Sequence, residues 1–373
     1  MRILFTGGGT GGHINPALAI AGYIRDRHPE AELAYVGTPN GMEANLVPRA
    51  GFRFIPMKAG GIQRQLNWRN IKGNFHSVAL LLTASARARK ILEDFRPDCV
   101  VGTGGYVSGP LMRKAAQMGI KTVTHEQNAF PGVTTKLLSK HVDLVMLAFP
   151  EAEKYLSPRC RYIVTGNPVR EGFIYEKRAE CRKKLGIDDR VCILSYGGSL
   201  GAKRINEAVA DLIAWHYRSG KIWHIHATGR YGVDYLPELL RQKGVDVSGM
   251  KNIDIREFLH NMPECMAAAD LVIGRSGAIT LCELEAAGKA SILIPSPNVA
   301  ENHQYHNAMV LARDGAAVVI EEKDLTGERL IAEVERLIEN PKKLQEIGQK
   351  AASHAVLDST ERMYKAIMEL LHP

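Results

Sequence analysis

Two glycine-rich stretches and the titratable side chains beside them are where this chain can do chemistry. Gly7-Gly8-Gly9-Thr10-Gly11-Gly12 carries the spacing G-x-G-x-x-G at Gly7, Gly9 and Gly12, after a short apolar strand and before a helical pattern. Glycines there tolerate positive φ and let backbone N–H groups approach a phosphate, while the helix N-terminus adds partial positive charge. A tight turn without a ligand would use the same spacing. Dinucleotide binding would further need an acid at the end of the second strand. That strand ends Tyr35-Val36-Gly37-Thr38, and Glu32, at the right distance, lies at its start, so nicotinamide and flavin are disfavoured. A second anion site is expected where Gly274-Arg275-Ser276-Gly277-Ala278 precedes the helical pattern Ile279 to Leu284. Its N–H groups and hydroxyl suit a diphosphate, and Glu283, about one to two turns in, suits a ribose diol. The competing reading of Glu283 is a solvated carboxylate on a helix face. No Asp-x-Asp occurs, and His224 and His226 sit in a strand pattern without nearby carboxylates, so they are expected to pack rather than hold a metal. No metal and no cofactor is expected. A nucleotide diphosphate would satisfy both the loop and Glu283, and a nucleotide-sugar enzyme without a metal must neutralise its leaving diphosphate with backbone dipoles and cations.

These loops need a scaffold, and the pattern supplies one twice. Ile3-Leu4-Phe5 runs into the first loop, followed by a helix with Asn15 as its expected cap and Pro16 at its first position. Val191 to Leu194 runs into Gly197-Gly198-Ser199-Leu200-Gly201, followed by a helix from near Ala202. Further strands are expected around Leu33–Val36, Cys99–Val101, Lys121–Thr124, Leu144–Leu147 and Tyr162–Val164. In the second half they fall near Trp223–Ala227, Asn252–Ile255, Leu271–Ile273, Ser291–Ile294 and Ala317–Ile320. Alternation with helices implies an α/β fold of two doubly wound, Rossmann-like parallel sheets, facing each other across a cleft and binding ligands at the carboxyl ends of their strands. The division expected is 1–165 and 166–340, with a turn near Gly166-Asn167-Pro168, and 341–373 as one long helix pattern from Pro341 to Leu371 closing the chain.

Composition narrows the class. With 373 residues, 45% hydrophobic and 24% charged, the chain has globular values and room for two domains. No apolar run reaches the roughly 18–20 residues of a membrane span. The first residues show no basic segment followed by a long apolar one, which suggests a cytoplasmic address. Six cysteines without Cys-x-x-Cys spacing read as reduced core residues. The net charge of +8 is gathered in one place: residues 44–92 hold nine cations and no acid. Long apolar runs and few aromatics in that stretch argue against nucleic acid. Its apolar residues, Ile62, Leu66, Trp68, Ile71, Phe75, Val78 and Leu80 to Leu82, interleave with the cations, as in an amphipathic helix or a face resting on anionic headgroups.

Seven segments then give a resemblance: Gly7 to His13, Gly102 to Pro110, His125-Glu-Gln-Asn128, Gly166 to Arg170, Gly197 to Ala202, Arg275 to Ala278 and Gln304 to Ala308. Taken in order over nearly the whole chain, they resemble the MurG family of UDP-N-acetylglucosamine transferases, which convert lipid I to lipid II in peptidoglycan synthesis. The resemblance implies the two-domain GT-B glycosyltransferase fold, a donor domain at 166–340 and an acceptor and membrane-facing domain at 1–165. It places the diphosphate of UDP-N-acetylglucosamine near Ser199 and the helix start at Ala278, Ile279 and Thr280, with Leu281 and Cys282 in the same turn. Uracil would lie against backbone near Leu259, the ribose on Glu283 and the sugar near Gln304. From the facing side Thr10, Gly11, Gly12, Asn128 and Arg170 would complete the pocket, Arg170 as its sole cation. Gly104, Gly105 and Tyr106 would shape the diphosphate site of the acceptor. The implied reaction inverts an α-linked donor to a β-1,4 linkage in one displacement, so the acceptor C4 hydroxyl needs a base. His13, as an imidazole able to take up a proton, is the first candidate and Glu126 the second; helix capping or phosphate contact is the competing role for His13. A polyprenyl-linked acceptor puts the enzyme at the cytoplasmic face of the plasma membrane as a peripheral protein, with the 44–92 stretch against anionic lipid. The family's Gly-Leu-Arg-Gly-like loop is replaced here by Gly60-Gly61-Ile62-Gln63-Arg64-Gln65, so its acceptor contacts do not carry over. A UDP-sugar epimerase and a membrane-attached nucleotide sensor are the competing functions.

Overall fold

The structure, a computed structural model, describes residues 1–58 and 83–372. The apolar part of the basic stretch and the divergent 60–65 loop therefore lie outside the described residues. The chain divides into two compact units, Met1–Pro168 with Asp358–Pro373, and Val169–Leu357.

The N-terminal unit is built on seven parallel strands in the order β3-β2-β1-β4-β5-β6-β7. They are β1 (Arg2–Thr6), β2 (Glu32–Gly37), β3 (Arg53–Pro56), β4 (Cys99–Gly102), β5 (Lys121–Glu126), β6 (Leu144–Leu147) and β7 (Tyr162–Val164). Side chains alternate across a strand, and here both faces are covered. Ile3 and Phe5 of β1 pack with Ala17, Ile20 and Ile24 of α1 (Gly11–Arg27), whereas Leu4 packs on the opposite face with Leu111, Met112 and Ala115 of α4 (Ser108–Gln117). The same unit contains α2 (Glu43–Arg49), a helix over 83–95, here α3, and α5 (Val133–Leu138). Strand β3 escapes a sequence reading because it is a four-residue edge strand with an exposed arginine, ending in Pro56.

Two local expectations change. Helix α1 starts at Gly11 with Thr10 as its N-cap, so Asn15 is exposed within the helix and Pro16 lies inside it. The glycine loop thus leads straight into the helix, and Pro16, the sixth helical residue, costs it one backbone bond, the one an N–H there would have made to Gly12 O. The terminal helix pattern is two helices, α14 (Pro341–Ser353) and α15 (Ser359–Leu371). The second returns to the N-terminal unit, where Met363, Ala366 and Ile367 join the α1 side of the core and the Tyr364 hydroxyl meets His28 Nε2 at 2.8 Å.

The C-terminal unit repeats the plan with six parallel strands in the order β10-β9-β8-β11-β12-β13. These are β8 (Val191–Tyr196), β9 (Ile222–Ala227), β10 (Ile253–Arg256), β11 (Leu271–Gly274), β12 (Ala290–Leu293) and β13 (Val318–Val319). Its core joins Ile193 and Ile273 to Ile205, Val209 and Ile213 of α8 (Lys203–His216) and to Leu330, Val334 and Leu337 of α13 (Gly327–Ile338). His224 and His226 are buried in β9, and they do more than pack. Ser195 Oγ lies 2.8 Å from each, and His224 Nδ1 lies 2.9 Å from His216 Nε2. Burial pushes His216 and His226 down to about 4 and lowers His224 as well, so these three imidazoles are neutral at physiological pH. All six cysteines are free, and Cys160 is only half-buried, outside the core that holds the other five.

In both sheets the strand order reverses between the first and fourth strands, β1 and β4 in one, β8 and β11 in the other. Ligand crevices of open α/β sheets form at the carboxyl ends of strands at such points. The loops at Gly7 to Gly12, Gly102 to Gly105, Gly197 to Gly201 and Gly274 to Gly277 lie at the ends of these four strands.

Candidate active site

In the N-terminal unit the loops after β1 and β4 touch. Gly8 N–H donates to Gly104 O at 3.2 Å, and a Cβ on Gly105, whose φ is +84°, would stand 2.4 Å from Gly8 O. His13, half-buried in the first turn of α1, places Nδ1 3.1 Å from Gly8 O. A carbonyl only accepts, so Nδ1 carries the proton and the neutral ring keeps its lone pair on Nε2. That edge of the ring lies beside Gly104, where an added Cβ would stand 3.1 Å from Nε2. Thr103 Oγ1 donates to His13 O at 2.6 Å and fixes the backbone from below. Tyr106 is exposed in the same loop.

The first loop is not the open phosphate cradle its spelling suggests. Besides the Gly8 N–H bond, Gly9 N–H donates to Glu43 Oε2 at 3.3 Å. Of the expected donors, Gly11 and Gly12 still have first-turn N–H groups that no helical carbonyl can reach, and Thr10 is exposed beside them. Sequence reasoning missed Glu43. The signal was the glycine-rich turn Gly37-Thr38-Pro39-Asn40-Gly41 after β2, which brings back an acid that is not in the strand itself.

Glu126, at the end of β5, is 3% exposed and heavily committed. Its Oε1 accepts from Asn128 N and Nδ2, both at 3.1 Å, and its Oε2 from Gly132 N at 3.1 Å. It is a brace for the loop that carries Asn128. Adjacent His125 bonds Gly166 O through Nε2 at 3.1 Å, and burial lowers it to about 4.

In the C-terminal unit the loop after β11 leads into α11 (Ala278–Ala286), capped by Gly277 without a side-chain bond. The N–H groups of Ala278, Ile279 and Thr280 are the unpaired donors of a first helical turn, aligned with the positive end of the helix dipole. Leu281 N–H already donates to Gly277 O at 3.0 Å, and the Leu281 and Cys282 side chains are buried, so their part is packing. Ser199 is exposed in the loop after β8, and Leu259 is buried behind β10. Gln304 Oε1 accepts from Ser296 N at 2.9 Å, which leaves its amide nitrogen as the donor. Arg275 is spent internally, on Ile294 O, Pro295 O and a buried ion pair with Glu322.

Glu283 is not a solvated helix-face carboxylate. Its side chain is 13% exposed and paired at 3.3 Å with Arg170, which is 63% exposed. Burial pushes Glu283 up to about 7, against the pull of Arg170. Arg170 therefore does not belong with Thr10 and Asn128: it lies past the division of the units, on the same unit as Glu283. Among the described residues no three His, Cys, Asp or Glu side chains stand together so as to hold a metal ion.

Two doubly wound sheets, each with glycine loops at its switch point, a free helix N-terminus and a ribose-suited carboxylate in one and an oriented histidine in the other, define a nucleotide-sugar enzyme of the twin-Rossmann type. Residues 3–147 match the N-terminal domain of glycosyltransferase family 28, and residues 192–363 match its C-terminal domain. A relative from Acetivibrio thermocellus, named UDP-N-acetylglucosamine--N-acetylmuramyl-(pentapeptide) pyrophosphoryl-undecaprenol N-acetylglucosamine transferase, is 45% identical, covering 100% of this chain and 98% of its own. The crystal structure of Acinetobacter baumannii MurG superposes with a TM-score of 0.77 at 28% identity, covering 99% of each chain. UDP-GlcNAc 2-epimerase from Neisseria meningitidis shares the fold, with a TM-score of 0.66 at 14% identity over 99% of this chain and 100% of that one. The chain belongs to glycosyltransferase family 28, as an enzyme of the hexosyltransferase class.

Proposed function

We propose that the chain transfers N-acetylglucosamine from UDP-N-acetylglucosamine to the C4 hydroxyl of the muramyl sugar of lipid I, with inversion, giving lipid II. The observation that carries the donor half is Glu283 held beneath the unpaired N–H groups of α11 at the β8/β11 switch point: a carboxylate for the ribose diol and dipoles for the diphosphate in one helix. Ser199 assists the diphosphate, Gln304 donates to the sugar, and Leu259 lines the base. Arg170 keeps Glu283 poised to ionise and adds positive charge beside the leaving group.

In the reaction the acceptor O4 bonds to C1 as the bond from C1 to the phosphate oxygen breaks, its electron pair going to the diphosphate. The O4 proton passes to Nε2 of His13, and the imidazolium keeps its Nδ1–H on Gly8 O. What supports His13 over Glu126 is access: the residue is only half-buried and the ring's one hydrogen bond is made by Nδ1, whereas Glu126 is buried with both oxygens taken by its own loop. A positioned base contributes about 10²–10⁴-fold. Gly104, Gly105 and Tyr106 contact the acceptor diphosphate, and Asn128, Thr10, Gly11 and Gly12 border the sugar. In this reading 1–165 serves the acceptor and 166–340 the donor.

The enzyme works as a peripheral protein on the cytoplasmic face of an anionic membrane, through the 44–92 stretch. Of its cations Arg49, Arg53, Lys58, Arg87, Arg89 and Lys90 lie among the described residues, and no helix there is long and apolar enough to cross a membrane. Radiolabelled transfer from UDP-N-acetylglucosamine to a short-chain lipid I analogue tests the function. Product requiring both substrates is expected, whereas free UDP or an epimer from donor alone would mean an epimerase, and tight UDP binding without transfer a sensor.

A further inference from the structure

We propose that Glu43 is a positioning residue for this transfer: its carboxylate, sunk beneath the first glycine loop, holds the Gly8 carbonyl against His13 Nδ1 and so leaves Nε2 as the nitrogen that takes the proton. The proposal rests on His13 being the base.

The niche is built for one carboxyl group. Glu43 is fully buried in the first turn of α2, yet its oxygens reach back to the carboxyl ends of β1 and β2. Oε1 accepts from Thr38 N at 2.9 Å and Thr38 Oγ1 at 2.6 Å, and Oε2 accepts from Gly9 N. Three glycines from two turns clear its space. A Cβ on Gly8 would stand 2.5 Å from Oε1, one on Gly41 2.4 Å from it, and one on Gly37 2.4 Å from Glu43 Cγ. The Gly9 bond is made at the residue whose φ is +87°, directly after the carbonyl that His13 uses. Neighbouring anchors hold the rest of the turn: Tyr35 hydroxyl donates to Gly7 O at 3.0 Å, and Gly8 N–H to Gly104 O.

Charge gives the niche its chemical meaning. Burial pushes Glu43 up, but the bonds from Thr38 and Gly9 outweigh it and hold the carboxyl below its ordinary range, so it is an anion at neutral pH. An anion behind Gly8 and Gly9 opposes a phosphate in front of them and favours a cation nearby. A loop spelled like a phosphate cradle is thereby suited to a histidine that becomes positive during the reaction.

Glu43→Gln tests this, because glutamine keeps the volume but cannot accept on both arms, so Gly9 or Thr38 loses its partner. The expected result with the lipid I analogue is a fall in kcat of about tenfold or more with KM for UDP-N-acetylglucosamine within about twofold. Ring ¹⁵N shifts of histidine-labelled enzyme, with His13 assigned by the signal lost in His13→Asn, should show the Nδ1–H form giving way to a mixture. Wild-type kcat, or a fall in kcat with the His13 tautomer unchanged, would overturn the proposal. Should Glu43→Gln not fold, Thr38→Val removes one bond to Oε1, and a smaller fall in kcat with the same tautomer shift is expected; an unchanged tautomer again overturns it. His13→Asn run alongside separates the two ideas. If it retains turnover the base assignment fails, whereas if it is inactive while Glu43→Gln is normal only the role of Glu43 fails.

Discussion

The first-strand loop of the N-terminal unit and the fourth-strand loop of the C-terminal unit stand on sheets with the same reversal of strand order, and both run from glycines into a helix. Their electrostatics are opposite. The first spends the Gly8 and Gly9 N–H groups on Gly104 O and Glu43, with an anion buried behind the turn. The second leaves the first-turn N–H groups of α11 open and keeps its carboxylate, Glu283, about a turn and a half along the helix beside Arg170. Glycine spacing fixes only the backbone path. What lies under the loop decides whether it receives a phosphate or orients a base.

The sharpest way to break this contrast is to remove the histidine. His13→Asn is expected to lower kcat by about 10²–10⁴ with little change in UDP-N-acetylglucosamine KM; an intact kcat would return the first loop to a plain binding role. Next comes Glu283→Gln, which should raise the donor KM about tenfold by replacing one of two charged acceptors for the ribose diol with an N–H donor. Its pH dependence sharpens the assignment. The diol donates to the ionised carboxylate, and burial holds Glu283 up to about 7, so UDP binding must expel a proton below that pH. Affinity measured by calorimetry should therefore strengthen as pH rises from about 6 to 8, and Glu283→Gln should flatten the curve. By the same linkage the free protein loses stability over the window from the ordinary carboxylate range to about 7, because the folded form holds that proton more tightly.

Arg170→Ala acts in the same place with less force. Loss of the ion pair should push Glu283 further up and weaken UDP binding several-fold, more at pH 6 than at pH 8. Glu126→Gln should leave kcat within about fivefold while lowering stability by about 1–3 kcal/mol, the cost of unpaired donors in the 128–132 loop, read by denaturant unfolding. A kcat loss as large as that of His13→Asn would reverse the order of the two candidate bases. The smallest effect is expected from a chelator: unchanged transfer in excess EDTA, whereas lost transfer would overturn a leaving group stabilised by backbone dipoles and Arg170 without a metal ion.

Much of the fold was legible because parallel strands buried on both faces are short apolar runs, and Ile3-Leu4-Phe5 and Val191 to Leu194 announce themselves. The weaker elements were not. Strand β3 is only four residues long, at an edge, and bounded by an exposed arginine and a proline, and the break at 354–358 that sends α15 back to the N-terminal unit has no proline or glycine to mark it. The chemistry of the site was readable where it lay within one loop and helix, as for Ala278 to Glu283. It was unreadable where it depended on distant residues: Glu43 beneath Gly8, the occupied oxygens of Glu126, and Arg170 paired with Glu283 are tertiary facts. Leu281 and Cys282 share a turn with Ala278 to Thr280, but helical phase points their side chains into the core.

The most direct test of the contrast is a crystal structure of the enzyme with UDP-N-acetylglucosamine. The diphosphate oxygens are expected on the N–H groups of Ala278, Ile279 and Thr280, with the ribose diol on Glu283 and no phosphate oxygen on Gly8 or Gly9. A diphosphate seated on the Gly7 to Gly9 turn, with Glu43 displaced or protonated to admit it, would contradict the account.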